Sequence, residues 1–357
     1  MKKFGKDDTM AVKGIAIVFL LWHHCFFEES RFSQFDINFF PFTEGLGIYF
    51  GELLKICVGM FAFLSAYGIA RSVRKKYGTL VLGKKESYAV CTHRIVSMMG
   101  GYFFVFLLCN LVCAVIDQRP FHIYGTGRGG LIYFLIDMLG LADVFHTPSL
   151  IYTWWYIGFA IVLIFIMPLF LRWYDRAGVL LIPMAIVLPL ILPLKTATSQ
   201  NYFRWLLCVV LGIACAEENI LERAKGWLSG GRRWLRAVGA AILLTAIVVC
   251  KQTALGKTYI GISDGITVLA VIVFTYSFVT DIPVVRNILM FLGKHSMNMF
   301  LIHNFIRYTY LNEWTYSFKN AFAIVFVLLL ESLFVSICIE KLKSVTGYKK
   351  LLNKEGI

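Results

Sequence analysis

Apolar residues fill this chain in long blocks separated by short polar loops, rather than in the alternating pattern of strands. Ten blocks read as membrane helices: 12–27, 46–70, 95–116, 151–171, 179–194, 203–216, 236–250, 262–280, 287–310 and 319–340. An eleventh, 131–147 (LIYFLIDMLGLADVFHT), is shorter and carries Asp137 and Asp143. The pattern predicts an all-α polytopic membrane protein in which residues 1–357 form one integral membrane domain. Its chemistry must then lie within or beside its helices.

Charge decides whether 131–147 crosses. Lys2, Lys3 and Lys6 place the N-terminus in the cytoplasm, and Arg71, Arg74, Lys75, Lys76, Lys84, Lys85 and Arg94 follow after two spans. With ten spans, the loop of Arg223, Lys225, Arg232, Arg233 and Arg236 and the basic tail 341–357 are also cytoplasmic. An eleventh span would put both outside, against the positive-inside bias. The expected topology is therefore about ten transmembrane helices with both termini cytoplasmic, and 131–147 re-entrant or on the outer face. The first block should stay as a span, because Glu28, Glu29 and Arg31 follow it instead of a small-residue cleavage site.

Composition changes the picture little. A net charge of +14 raises nucleic acid as a partner, but the cations gather at the ends of apolar blocks, where topology accounts for them, so no nucleic-acid partner is expected. The nine cysteines are odd in number, without CxxC spacing, and fall mostly inside apolar blocks. They read as buried small hydrophobes, and no metal site is implied.

Candidate chemistry centres on two histidines. Lys13 and His24 are eleven positions apart, about three turns, so they share a helix face roughly 16 Å apart along the axis. His303 stands about 22 Å beyond the start of its own block, again downstream of a basic residue, Lys294. Both blocks start on the cytoplasmic side, so the two imidazoles are expected at similar depth. A neutral imidazole, with a reference pKa of about 6.5, suits the removal of a hydroxyl proton. An interhelical hydrogen bond is the plain alternative for either, and the expected role of His23, which points about 100° away from His24. Lys13, Arg94, Lys84 and Lys85 have snorkelling as their plain reading; together they would make a positive mouth for the phosphates of a CoA thioester, whose pantetheine arm would reach inward. Ser65, with Ala66, supplies a small patch suited to helix packing or to lining an acyl channel. Gly293 allows close approach and Ser296 can satisfy backbone groups. Trp154, Trp155 and Tyr156 read as an interfacial belt. Glu331 is a deep acid, suited to orienting a histidine or pairing with a polar neighbour.

These segments resemble the acyltransferase-3 family of integral membrane O-acyltransferases. Lys13 to His24 is similar to that family's basic residue, ten others and a histidine, with Lys where Arg is usual. Met60-FAFLSAYGI resembles its FFxLSGFxI pattern, with Ala66 where Gly is usual, and Arg94-IVSMMGGY its R-x-x-R start, with Ser97 at the second Arg. Trp155-YIGFA resembles a W-x-L stretch, with Ala160 where some members have glutamate. Gly293-KHSMNMFLIH is similar to G-K-x-S-x6-H, the most specific match. The resemblance implies ten helices and transfer of an acyl group, usually acetyl from cytoplasmic acetyl-CoA, to a hydroxyl of an extracytoplasmic or lipid-linked glycan at a bacterial plasma membrane. It implies His24 as catalytic base or acyl carrier, His303 as its assistant, and Lys13 and Arg94 on the CoA phosphates, with Lys294, Ser65, Ser296, Gly293 and Trp155 in the same motifs. Some members carry an extracytoplasmic hydrolase-like domain; the stand-alone form is expected for this chain, which ends at Ile357. The alternative from another class is a proton-coupled transporter or flippase using the histidines as relays; the lack of an internal repeat speaks against it.

Overall fold

Within lipid a backbone satisfies its own hydrogen bonds locally only as a helix. The computed structural model describes residues 3–192 and 195–354, and each of the ten apolar blocks contains helix there; positions 193 and 194, the end of the block 179–194, lie outside the described residues. In chain order the helices begin with α1 (Lys6–Phe26), α2 (Glu44–Leu53), α3 (Ile56–Tyr77) and α4 (Lys84–Ile116). Short helices α5 (Arg119–Tyr124), α6 (Gly127–Met138) and α7 (Ala142–Phe145) precede α8 (Trp155–Ala177) and α9 (Leu181–Ile191). Next are α10 (Leu206–Glu218), α11 (Ile220–Ser229), α12 (Arg233–Gln252), α13 (Ala254–Thr258) and α14 (Ile260–Phe274). The last four are α15 (Pro283–Asn304), α16 (Asn312–Tyr316), α17 (Ala321–Val345) and α18 (Tyr348–Lys354). Among the described residues there is no strand, only one isolated bridge between Asn38 and Asn320.

The chain is a polytopic all-α membrane protein. Among the described residues seven segments are long and apolar enough to cross a bilayer: Lys6–Phe26, Glu44–Tyr77, Lys84–Ile116, Tyr152–Ile191, Arg233–Gln252, Ile260–Val279 and Ala321–Val345. Of the other expected spans, α9, with 11 residues, is continuous with α8 inside Tyr152–Ile191, and α10 has only 13 residues. The third, α15, has 22 residues but carries Arg286, Lys294, His295, Asn298, His303 and Asn304, which depress its hydropathy. Segment 131–147 forms the end of α6 and α7, neither long enough to span. Asp137 there is buried and accepts hydrogen bonds from Tyr124 Oη at 2.6 Å, Ser149 Oγ at 2.9 Å and Leu150 N at 2.8 Å.

Local signals set the helix ends. Asp7 and Asp8 occupy the first turn of α1, where the helix dipole favours negative charge, and Asp8 Oδ2 accepts from Gly5 N at 3.0 Å. Asn320 Oδ1 caps α17 by accepting from the amides of Phe322 and Ala323. Helices α1, α3, α10 and α15 form the interior, with Ala16, Ile17, Met60, Phe63, Cys208, Ile213 and Leu301 fully or almost fully buried. Helix α12 packs at the periphery on α14; Val238, Ile242, Leu243 and Val249 are exposed, while Lys251 is buried on Asp264 at 2.7 Å. Six of the cysteines are buried, but Cys250 and Cys338 are exposed, because their helix faces point away from the bundle. The expected tail from 341 begins inside α17, where buried Lys343 bonds to Glu340 at 3.0 Å and to Asn298 Oδ1 at 3.2 Å. Residues 355–357 lie outside the described residues.

Candidate active site

The site begins with two glycines. A Cβ on Gly293 would lie 1.9 Å from Met10 O, and one on Gly14 would lie 2.1 Å from Leu289 O, so α1 and α15 touch backbone to backbone. His24 stands ten positions after Gly14 and His303 ten after Gly293. Two helices that start from the same end and rise about 1.5 Å per residue bring those positions to the same depth. The imidazole centroids are 4.8 Å apart and the rings inclined at 41°.

Each ring has its own environment. His303 is fully buried, and its Nδ1 donates to the Phe300 carbonyl at 2.7 Å, which leaves the Nε2 lone pair without a hydrogen-bond partner among the described residues. His24 is partly exposed, and its buried Nδ1 also lacks a hydrogen-bond partner among the described residues. His23 donates through Nδ1 to Gly51 O at 2.7 Å, the interhelical bond expected of it.

Beyond His303 the helix opens into a π-helical stretch, Phe305–Tyr310, of the kind that re-aims side chains at functional sites. It turns Arg307 inward, where the guanidinium is buried. Arg307 donates to Asn304 Oδ1 through Nη2 at 3.0 Å and to Tyr316 Oη through Nη1 at 3.2 Å. Tyr316 in turn donates to Cys25 O at 3.2 Å, and Asn304 Nδ2 donates to Thr153 Oγ1 at 3.1 Å. The network ties both histidine helices to the start of α8.

A cavity of about 250 Å³ runs along His24. Lys13, Ser65, Met98 and Ser296 line it toward one end; Arg31, Lys55, Tyr152 and Gln200 line it toward the other. Ser296 Oγ donates back to Gly293 O at 2.9 Å. Ser65 faces the cavity, while Ala66 does the packing, against Gly212 of α10. Trp155 and Tyr156 also line the cavity, and Trp154 is buried with its Nε1 donating to Leu301 O at 3.1 Å, so the expected interfacial belt is corrected: this cluster belongs to the interior. The reason is that α8 packs its first turn against α3 and α4 rather than against lipid.

The basic candidates separate. Lys13 reaches the cavity, and Arg94 stands close enough for the two charges to interact. Arg94 itself donates to Gly68 O at 3.1 Å and to Ser72 Oγ, and lines a neighbouring cleft with Lys76 and His93. Lys294 is exposed and off the cavity wall, as are Lys84 and Lys85 at the start of α4. Glu331 accepts from Trp314 Nε1 at 2.7 Å, the polar-neighbour alternative, and does not orient a histidine. Among the described residues no group of His, Cys, Asp and Glu is placed to hold a metal ion.

Sequence reasoning missed Arg31, Lys55, Thr153, Gln200, Asn304 and Arg307. Arg307 and Lys55 were within reach, since each is a charge inside an apolar block, 287–310 and 46–70. The others come from loops and helix ends whose neighbours no local pattern reveals.

The molecule is thus a polytopic membrane bundle with a basic cavity that passes a deep histidine. The family model for the acyltransferase domain matches residues 10–341, and the chain belongs to this acyltransferase-3 family of membrane O-acyltransferases. No curated protein and no solved structure gives a significant match.

Proposed function

We propose that the protein transfers an acyl group, acetyl by preference, from cytoplasmic acyl-CoA to a hydroxyl of an extracytoplasmic or lipid-linked glycan at a bacterial plasma membrane. The observation that carries this reading is the single cavity that passes His24, with Lys13 toward one end of α1 and Arg31 beyond the other. In this reading the membrane holds ten spans, both termini are cytoplasmic, and α6 and α7 lie at the outer face. Residues 1–357 act as one domain with a short basic end.

Acetyl-CoA fits the donor side by charge and length. Lys13 and Arg94 receive its phosphates, with Lys294 adding to the positive field of that mouth, and roughly 16 Å of extended arm separates Lys13 from His24. His24 takes the proton of the acceptor hydroxyl as its oxygen attacks the thioester carbonyl. The C–S bond then breaks and the proton passes to the departing CoA thiolate, giving ester and free CoA. His303, held in one tautomer by the Phe300 carbonyl, packs beside the His24 ring and fixes its orientation.

Membranes containing wild type or His24→Ala, incubated with acetyl-labelled acetyl-CoA, test the proposal. Label in a glycan fraction and release of free CoA from wild type alone is the expected result. Gradient-driven movement of a glycan or lipid without consumption of acetyl-CoA would replace it with the transporter reading.

A further inference from the structure

The outer arm of the cavity has an uneven charge. Arg31 and Lys55 line it, and among the described residues no Asp or Glu lines the cavity anywhere. Neither cation is consumed by its neighbours. Lys55 Nζ donates to a neutral group, Gln200 Oε1, at 2.8 Å. Arg31 donates through Nη1 to His24 O at 3.2 Å, and its one acidic partner, Glu28 at 3.3 Å, is a half-exposed side chain outside the cavity. Two acids of neighbouring segments, the buried Asp264 and the half-buried Asp143, have other partners. Asp264 is held by Arg204 at 2.6 Å and Lys251 at 2.7 Å, and Asp143 accepts from Ser199 N and Tyr202 Oη. The donor's phosphates, at the Lys13 end, do not account for a second pair of cations beyond His24.

A partly desolvated pair of cations whose one carboxylate partner, Glu28, is half-exposed and outside the cavity favours an anion over a neutral ligand. We infer that the acceptor of this enzyme is an anionic saccharide, one whose phosphate or carboxylate is held between Arg31 and Lys55 while a neighbouring hydroxyl faces His24. The inference rests on the acyltransferase reading and deepens it by giving the charge of the acceptor. Tyr152 and Trp155, which line the same arm, provide flat faces for the sugar ring.

The test is binding to the full chain in lipid nanodiscs, saturated with CoA so that the donor phosphate site is filled. The probes are methyl β-glucoside, methyl β-glucuronide and glucose 6-phosphate. The expected result is that at least one anionic sugar binds about tenfold or more tighter than the glucoside, a preference that shrinks as salt is raised. Lys55→Gln and Arg31→Gln should each remove most of that preference. Equal binding of glucoside and both anionic sugars, or no binding of either anionic sugar, overturns the inference. So does a Lys55→Gln variant that lowers turnover with acceptor affinity unchanged, because that would place the charge on the reaction's oxyanion. The salt series on wild type keeps the inference testable if the variants fail to fold. Absence of acetyl transfer to any acceptor would sink the transferase reading and leave this binding comparison standing.

Discussion

The His24 ring faces the His303 ring at 4.8 Å between centroids, and the pair exists because Gly14 and Gly293 let their helices meet at matched registers. One imidazole borders the cavity; the other lies wholly behind it, held by a backbone carbonyl. On the proposed function, the chemistry therefore depends on helix packing two to three turns away.

Gly293→Ala should break that registration. The added methyl would meet Met10 O, a backbone atom that cannot swing aside, at a cost of about 1–3 kcal/mol typical of overpacking. The expected outcome is a lower melting temperature in detergent and acetyl transfer reduced by about a hundredfold, the scale of a 1 Å misplacement. Normal transfer by a folded Gly293→Ala protein would show that the registry is not needed.

His303→Ala should act on rate and not on donor binding. Loss of the ring that backs His24 is expected to lower turnover about tenfold to a hundredfold with the KM for acetyl-CoA unchanged. Steady-state kinetics with varied acetyl-CoA separates the two parameters. A raised KM with unchanged kcat would place His303 in the donor site instead.

Lys13→Arg should retain activity, since the cavity wall keeps its cation, whereas Lys13→Glu should raise the KM for acetyl-CoA about tenfold or more by setting a carboxylate against the donor phosphates. An unchanged apparent affinity in Lys13→Glu would rule out phosphate docking at this residue.

Arg307→Leu should destabilise the fold by about 1–3 kcal/mol, because Asn304 Oδ1 and Tyr316 Oη both lose their donor in a buried setting. Arg307→Lys should recover only part of it, since an ammonium cannot reproduce the two-pronged contact with Asn304 Oδ1 and the third bond to Tyr316. Thermal melts of purified protein in one detergent give the comparison, and a melting temperature unchanged in Arg307→Leu would mean the network carries no stability.

The helices themselves were legible in the sequence. In an apolar medium each backbone hydrogen bond is closed within one turn, so a long apolar block determines a helix without reference to the rest of the chain. Lys13, His24 and His303 were legible for the same local reason: a polar group inside such a block is costly and stands out. Gly293 was legible as a residue that allows close approach, and in the structure a Cβ there would meet Met10 O. What the blocks did not reveal was partnership. Trp154 and Trp155 look the same in sequence whether they face lipid or the interior, and only the packing of α8 on α3 and α4 decides. Arg31, Lys55 and Gln200 belong to different loops and ends, separated by 24 to 169 positions, and become one cavity wall only after the bundle closes. Helix formation is a short-range bargain between neighbouring peptide groups, so the sequence determined it alone. The cavity, its charge and the meeting of the two imidazoles depend on which helix faces which, a choice that small residues and side-chain shape make across the whole chain, and that only the tertiary structure decided.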